Sequence, residues 1–252
     1  MERAIIIPAR LESVRFPRKL LHPVRGVPLI LHTARRVLSE AGGVPLIFAV
    51  ADEELASVLE GEGFQCVRTD PALASGTDRI AYANREIGAG LVVNVQADEP
   101  LVTGGQIHVL FSLLEGGAEM STLGIRLRDP ERFADPNQVK IVRGLGGEAL
   151  YFSRAPIPWH REAGGRPTQE MIEAVPFLGH LGLYGYRADF LEKFVSLEPS
   201  PMEKIERLEQ LRALENGASI QVGITQEHSV GVDTPADVDR FEAAIDRIAN
   251  RG

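Results

Sequence analysis

Two carboxylates follow a run of apolar, mostly β-branched residues near the middle of the chain. Residues 91–95 read LVVNV, and Asp98 and Glu99 follow in the segment QADEP. Such a run is typical of a strand buried on both faces of a parallel sheet. Ligands bind at the carboxyl ends of such strands, and Mg²⁺ is held by one or two carboxylates together with substrate phosphates. The stretch therefore indicates metal-assisted phosphate chemistry, against the alternative that Asp98 and Glu99 only begin a turn before Pro100.

Basic residues follow the first predicted strand, which covers residues 4–7. The loop after it has no glycine before Gly26, so neither the dinucleotide fingerprint nor the P-loop pattern occurs there, which disfavours a dehydrogenase. The basic residues of this loop are Arg10, Arg15, Arg18 and Lys19. Guanidinium and ammonium groups bind phosphate oxygens. The loop predicts an anion site, and the alternative is a solvated basic loop.

Two further segments place polar residues next to helix starts. In ASGTDR, either Ser75 or Thr77 suits the N-cap of a helix, and Gly76 allows close approach of the backbone to a ligand. In GVDTP, Asp233 lies before the closing helix and is a candidate second metal ligand beside Asp98. The alternatives are simple capping for the first segment and a turn for the second.

The later part of the chain carries a cluster of polar and aromatic residues. Arg154 follows a predicted strand and offers a bidentate fork to a carboxylate. In FLGHLGLYGYR, the period of two predicts that His180, Tyr184 and Tyr186 lie on one face of a strand. The alternative is that His180 and Tyr184 are satisfied core residues.

The elements that must position these residues alternate between strand and helix patterns, which predicts a parallel sheet with helices on both faces. The predicted strands are residues 4–7, 46–51, 64–67, 91–95, 120–126, 136–142, 149–152, 177–187 and 219–224. The predicted helices are residues 28–40, 53–60, 80–87, 105–115, 201–216 and 235–249. Residues 163–175 are predicted to form a mobile loop or excursion. No internal repeat or domain boundary is visible.

Composition narrows the function further. The 252 residues carry a net charge of −8, which argues against a nucleic-acid partner because a phosphate backbone requires a basic surface. The single Cys66 cannot form an internal disulfide, which suits a reducing compartment. Neither a signal peptide nor an apolar run of about 20 residues is visible. The sequence therefore predicts a soluble, cytoplasmic protein without a membrane partner.

Taken together, several motifs resemble those of the CMP-Kdo synthetases (3-deoxy-manno-octulosonate cytidylyltransferases). The resemblance covers residues 4–240, and its motifs are IIIPAR, SGTDR, VNVQADEP, DPNQVKIV, ALYFSRAPIPW, HLGLYGYR, SPMEKIERLEQLRALENG and GVDTP. This chain departs from the family at two positions where the family usually has glycine, namely Arg18 before Lys19, and Ala97 before Asp98.

The resemblance implies a fold and an activity. The fold is a three-layer, Rossmann-like nucleotidyltransferase α/β fold, with a mostly parallel central sheet, helices on both faces and a small β excursion. The implied organisation is a single cytidylyltransferase domain over residues 1–252, with residues 150–185 forming a dimerisation and sugar-binding excursion of a homodimer. The implied reaction transfers CMP from CTP to 3-deoxy-D-manno-octulosonate (Kdo) with Mg²⁺, releasing pyrophosphate, for lipopolysaccharide biosynthesis.

The resemblance also implies roles for individual residues. The implied catalytic residues are Arg10, Lys19, Asp98 and Asp233, of which the two aspartates hold the metal. The implied substrate-binding residues are Pro8, Ala9, Arg10, Lys19, Ser75, Gly76, Arg79, Gln96, Ala97, Arg154, His180, Tyr184 and Glu209. Among these, Arg154, His180, Tyr184 and Glu209, with Gln96, are implied to bind the sugar acid. The alternatives are transfer to a related acid sugar, amino-Kdo or sialic acid, and a binding protein that has lost catalysis.

Overall fold

The computed structural model describes residues 2–227 and 231–249. The chain forms two compact units, one from the described part of residues 1–107 and 228–252, the other from residues 108–227. Within the described ranges, no helix is both long enough and apolar enough to cross a membrane. The prediction of a single domain with a dimerisation excursion over residues 150–185 stays a prediction.

A parallel sheet of four strands organises the first unit. Its order is β6 (Leu91–Asn94), β1 (Arg3–Ala9), β4 (Leu46–Val50) and β5 (Gln65–Arg68), and all three pairings are parallel. Its helices are α1 (Leu29–Glu40), α2 (Glu53–Gly61), α3 (Gly76–Ile87), the start of α4 (Gly104–Glu115), and α10 (Pro235–Ala249). A small hairpin joins β2 (Pro23–Val24) to β3 (Val27–Pro28). The predicted α/β fold with its mostly parallel central sheet is confirmed.

Strand β1 has β6 on one side and β4 on the other. The chain extends the sheet from β1 to β4 and β5 on one side and later returns to place β6 on the other side, so the strand order reverses at β1. This is the topological switch point at which open α/β sheets bind ligands. Arg10 follows β1, Asp52 follows β4 and Asp98 follows β6. The sheet therefore gathers three charged residues at one edge.

The second unit is built on five strands of mostly antiparallel pairing. Its strands are β7 (Met120–Arg126), β8 (Lys140–Arg143), β9 (Ala149–Ser153), β10 (Leu178–Arg187) and β11 (Ile220–Thr225). Only the pairing of β11 with β7 is parallel among the described strands of this unit. Its shorter helices are α5 (Pro130–Ala134), α6 (Gln169–Ala174), α7 (Ala188–Ser196), α8 (Pro201–Glu206) and α9 (Gln210–Glu215).

The single helix predicted between Ser200 and Gly217 is wrong, because two short helices occupy this stretch. The predicted start is right, since the Ser200 amide donates to Glu203 Oε2 at 3.0 Å in a capping box. The first of these helices then ends at Arg207, whose φ is 52°. Ile205, an apolar residue within the predicted helix, is 76% exposed. The apolar spacing continues through the break, which is why the pattern alone concealed it.

Residues 163–175, predicted to form a mobile loop or excursion, are not a loop throughout. This stretch contains helix α6, and the Thr168 side chain accepts from the amide of Met171 at its N-terminus. Ile172 is fully buried in a cluster with Phe133 and Phe177. The polar composition of the stretch masked one apolar residue that anchors a short helix to the second unit.

Candidate active site

A cavity of about 280 Å³ lies in the first unit, at the carboxyl ends of β1 and β6. Its lining residues are Pro8, Ala9, Arg10, Glu12, Ser13, Lys19, Leu20, Gly76, Arg79, Gln96, Ala97 and Asp98. Glu12, Ser13 and Leu20 are the members that the sequence motifs did not indicate. Their position in the same loop as Arg10 and Lys19 was the available signal.

Lys19 lies at the centre of the charged groups in this unit. Its Nζ donates to Asp98 Oδ2 at 2.5 Å and to Asp233 Oδ1 at 3.1 Å. Burial lowers the pKa of Lys19, but the attraction of the two carboxylates outweighs burial, and the pKa is raised above its usual value. Arg15 Nη2 lies 2.9 Å from Asp233 Oδ1 and adds a second cation. The structure thus joins residues from three distant parts of the chain.

The place of Lys19 is set by an apolar anchor in the preceding loop. Phe16 is buried in a cluster with Val24, Leu29 and Phe241. The Lys19 amide donates to the Phe16 carbonyl at 3.1 Å and begins a short 3₁₀ turn, Lys19–Leu21. Burial of the phenyl ring therefore fixes the backbone from which the lysine side chain reaches the carboxylates.

Backbone contacts bring the two aspartates together. The amide of Val232 donates to the Asp98 carbonyl at 3.0 Å, and Val232 is fully buried in the same apolar cluster as Phe16. Beside Asp98, Thr33 Oγ1 donates to the Ala97 carbonyl at 2.8 Å. Asp98 and Asp233 are each the neighbour of a residue that is fixed in this way, which explains why their carboxylates converge on one ammonium group.

Arg18 is directed away from the cavity, in contrast to the expectation that all four basic residues form one anion site. Its Nη2 pairs with Glu54 Oε1 at 2.5 Å, and Arg18 is not among the cavity-lining residues. The described non-glycine residues with positive φ are Arg18, Arg25 and Arg207. Arg18 thus holds the left-handed conformation that glycine adopts freely, whereas Ala97 is not among them and its methyl group causes no such strain.

Ser75 caps helix α3, which settles the choice between Ser75 and Thr77. The Asp78 amide donates to Ser75 Oγ at 3.1 Å, and the Ser75 amide donates to Asp78 Oδ2 at 3.0 Å. At Gly76, an added Cβ would lie 3.3 Å from Cγ of Pro8. The missing side chain therefore allows α3 to approach β1 closely, beside the cavity wall to which both residues contribute.

Arg79 lines the cavity but uses its guanidinium group within the protein. Nη1 donates to Thr69 Oγ1 at 2.9 Å and to the Asp70 carbonyl at 2.8 Å. Nη2 donates to the carbonyls of Pro71 at 3.1 Å and Leu73 at 3.3 Å. Burial, followed by the nearby Arg10, lowers the pKa of Arg79. The side chain fixes the loop of residues 70–73, and its predicted role toward a nucleotide stays a prediction.

In the second unit, His180 and Tyr184 lie on one face of β10. A register shift between Leu181 and Tyr184, which the period of two does not predict, brings them opposite Gly124 and Thr122, only two residues apart on β7. Their ring centroids are 5.3 Å apart, and His180 Nε2 lies 2.9 Å from Thr122 Oγ1. Burial lowers the pKa of His180 to about 3. Burial, with smaller contributions from Tyr186 and Glu209, raises the pKa of Tyr184. Both rings are therefore neutral near pH 7.

Arg154 directs its guanidinium group at backbone carbonyls of the second unit. Nε donates to the Glu206 carbonyl at 2.7 Å, Nη1 to Pro136 at 3.2 Å and Nη2 to Arg207 at 3.4 Å. Lys140, fully buried, donates through Nζ to the Arg154 carbonyl at 2.6 Å. The predicted pairing of Arg154 with a sugar carboxylate stays a prediction, and it requires the fork to exchange these acceptors for the ligand.

The acidic groups suit a metal that shares its coordination with a substrate. Among the described residues, no group of three or more His, Cys, Asp or Glu side chains is arranged to hold a metal ion. Asp98 and Asp233 nevertheless converge on one cation, the Lys19 ammonium group. The oxygen atoms of these two carboxylates are ligands of the kind that Mg²⁺ prefers, and Mg²⁺ takes its remaining ligands from phosphates and water.

Comparison with known proteins places this chain among cytidylyltransferases. The family described as Cytidylyltransferase matches residues 4–220. The 3-deoxy-manno-octulosonate cytidylyltransferase of Stenotrophomonas maltophilia strain K279a is 43% identical over 99% of both chains. The enzyme of the same name from Chlorobium limicola is 40% identical over 100% of both. A solved structure of CMP:2-keto-3-deoxy-manno-octonic acid synthetase complexed with CTP is 32% identical, with a TM-score of 0.89 over 98% of this chain and 99% of that chain.

Replacing Arg18 with glycine should raise the melting temperature by roughly 2–4 °C, because glycine removes the cost of a left-handed side-chain-bearing residue. The Arg18–Glu54 ion pair is exposed and contributes little. Differential scanning calorimetry measures the change. Arg18→Ala is the control, since it removes the ion pair but keeps Cβ, and it should not raise the melting temperature. A gain from both variants would trace the strain to the arginine side chain rather than to its backbone.

His180 should make the folded state lose stability in acid. Its pKa of about 3 in the folded protein lies below the usual value of 6.5, so the unfolded chain binds a proton first. The stabilising contribution is present above pH 6.5 and is lost as the pH falls toward 3. Between pH 7 and pH 5, the midpoint of urea unfolding should therefore fall more for the wild type than for His180→Gln. Equal pH dependence of the two proteins would contradict a neutral His180 in the folded protein.

Proposed function

We propose that this chain, which belongs to the 3-deoxy-manno-octulosonate cytidylyltransferase family, transfers CMP from CTP to the anomeric hydroxyl of Kdo and releases pyrophosphate. As a member of that family it is a nucleotidyltransferase. The observation that carries the proposal is the buried Lys19 between Asp98 and Asp233 beside a cavity at the switch point of the sheet. This arrangement supplies the positive charge and the carboxylates that phosphoryl chemistry requires.

The phosphate side of the reaction is assigned to Arg10 and Lys19. The sugar hydroxyl attacks the α-phosphorus in line and gives up its proton to solvent, and the bond between the α-phosphorus and the bridging oxygen breaks as pyrophosphate leaves. Negative charge builds up on the departing oxygens, so fixed cations lower the barrier more than they strengthen ground-state binding. The Arg10 side chain is half exposed, and its nearest carboxylate is Glu12, 3.9 Å away, which leaves its guanidinium group accessible to a triphosphate.

Asp98 and Asp233 are the residues that would hold Mg²⁺. A bound Mg²⁺ neutralises phosphate charge and lowers the pKa of a coordinated hydroxyl. The protein contributes two carboxylates whose backbones are fixed by Val232 and Thr33, so little ordering is left to be done on binding. The same two carboxylates accept hydrogen bonds from Lys19, so a metal ion would compete with the lysine for them.

The sugar is assigned to residues of the second unit. His180 and Tyr184, both neutral, suit hydrogen bonds to hydroxyls, and Arg154 and Glu209 are the charged members of the set. This set and the specificity for Kdo follow from the likeness to the named relatives. A homodimer, a cytoplasmic location and a place in lipopolysaccharide biosynthesis belong to the same proposal.

The experiment that tests the function measures pyrophosphate release with CTP, Mg²⁺ and a panel of acid sugars. Kdo should give a kcat/KM at least tenfold above amino-Kdo and sialic acid, because buried polar groups reject analogues that leave them unpaired. Preference for amino-Kdo or sialic acid would support the alternative within the same enzyme class. Absence of pyrophosphate release with all three sugars would contradict the proposed function.

Replacing either metal-binding aspartate should abolish turnover without unfolding the protein. Asp98→Asn and Asp233→Asn retain an acceptor oxygen for Lys19 but lose the charge that a divalent cation requires. We expect kcat to fall at least 100-fold and Mn²⁺ binding in the presence of CTP, followed by electron paramagnetic resonance, to weaken. Asp246→Asn is the matched control, because Asp246 pairs with the peripheral Arg25 at 2.7 Å. Near-wild-type turnover in either site variant would remove that aspartate from the metal site.

A further inference from the structure

Asp52 occupies a position where an aspartate normally caps a helix. It lies between β4 and α2, at the N-cap of α2, and its backbone is extended, with φ of −117° and ψ of 129°. An N-cap aspartate usually accepts a hydrogen bond from an amide of the first turn, which stabilises the helix. Asp52 forms no such bond, although the whole of α2 lies in the described part of the chain.

The carboxylate is instead directed at the loop that follows β1. Asp52 Oδ2 accepts a hydrogen bond from the Leu11 amide at 2.8 Å. The amide of the preceding Ala51 donates to the Ala9 carbonyl at 3.1 Å. The pairing of β1 with β4 is therefore extended by one main-chain bond and then by one side-chain bond, and Arg10 lies between these two fixed points.

Arg10 depends on this backbone support because its side chain has little else to orient it. The guanidinium group is half exposed, with Glu12 at 3.9 Å as its salt-bridge partner. Pro8 and Ala9, on the same stretch, line the cavity with it. A residue that fixes the Leu11 amide therefore fixes the direction in which Arg10 leaves the main chain.

The charge of Asp52 does not account for its place. Its carboxylate is only a minor influence on the two nearby guanidinium groups, because burial dominates and lowers the pKa of Arg79, and Glu54 dominates and raises the pKa of Arg18. A negative charge beside cations that receive a triphosphate opposes binding rather than favouring it. The feature that benefits the site is the acceptor oxygen at Leu11, which is a matter of geometry.

We propose that Asp52 is a positioning residue, which gives up the cap of α2 in order to hold the Ala9–Leu11 backbone so that Arg10 meets the triphosphate of CTP. The inference rests on the proposed function for its ligand. Its physical core, the fixation of the Leu11 amide by the Asp52 carboxylate, stands independently of any substrate.

Three substitutions separate positioning from charge and from helix capping. Asp52→Asn keeps an acceptor oxygen at the same reach and removes the charge. Asp52→Ser caps α2 but is one atom too short for the Leu11 bond, and Asp52→Ala does neither. Asp129→Ser is the matched control, because Asp129 caps its own helix through Glu131 N at 2.8 Å, and it should leave the kinetics unchanged.

We expect Asp52→Asn to stay within about threefold of wild-type kcat/KM for CTP and Asp52→Ser to lose about tenfold or more, because small displacements of a substrate-binding group are costly. The KM for Kdo and the melting temperature of Asp52→Ser should stay near the wild-type values. Wild-type kinetics in Asp52→Ser would overturn the proposal. Equal losses of kcat/KM in Asp52→Asn and Asp52→Ser would also overturn it. The proposal would also be overturned if activity fell across the variants in step with the melting temperature.

Hydrogen exchange of the free protein keeps this test separate from the proposed function. The Leu11 amide should exchange at least tenfold faster in Asp52→Ser and Asp52→Ala than in the wild type and Asp52→Asn. Unchanged exchange would overturn the positioning role even if CMP transfer is observed. Faster exchange in a protein that does not transfer CMP would retain the loop geometry and contradict only the proposed reaction.

Discussion

The ammonium group of Lys19 is buried between two carboxylates, and the geometry of the first unit depends on that interaction. Removing an ammonium ion from water is costly, and the cost is offset only if opposite charges and good hydrogen bonds replace the water. Asp98 and Asp233 do so at 2.5 and 3.1 Å. The lysine follows β1, one aspartate follows β6 and the other precedes α10. This triad of charged side chains thereby connects the segments that follow β1 and β6 to the segment that precedes α10.

Apolar packing makes this triad possible. Phe16 and Val232 lie in one buried cluster, and each is close in sequence to a charged member of the triad. The cluster places the backbone, and short side chains such as Thr33 hold the remaining carbonyls. Charged groups on flexible side chains then need to make only small adjustments. Because apolar burial is not directional, the final direction of each charged group comes from hydrogen bonds such as that from Val232 N to the Asp98 carbonyl.

Local patterns in the sequence were sufficient wherever the determining interaction is also local. The buried run before Asp98 and the cap at Ser75 are of this kind. Local patterns failed wherever a partner that is distant in the sequence determines the contacts of a residue. Asp52 looks like an ordinary helix cap until β1 is placed beside β4.

The second unit shows the same limit for charged side chains. Arg154 follows a strand and has the fork that suits a carboxylate, but three backbone carbonyls receive its donors, and one of them belongs to the left-handed Arg207. That break in the predicted helix was not visible in the apolar spacing. The residue type indicates what a side chain is able to bind, whereas the surrounding backbone decides what it binds when no ligand is present.

The charge balance of the first unit bears on how nucleotide and metal would arrive under the proposed function. Asp98 and Asp233 carry two negative charges, and Lys19 and Arg15 carry two positive charges in contact with them. A divalent cation alone therefore meets carboxylates that are already neutralised. A triphosphate brings negative charge of its own and offers Lys19 and Arg15 new partners. Transfer of these cations to the phosphates would free both carboxylates, so that nucleotide and metal strengthen each other's binding by linkage.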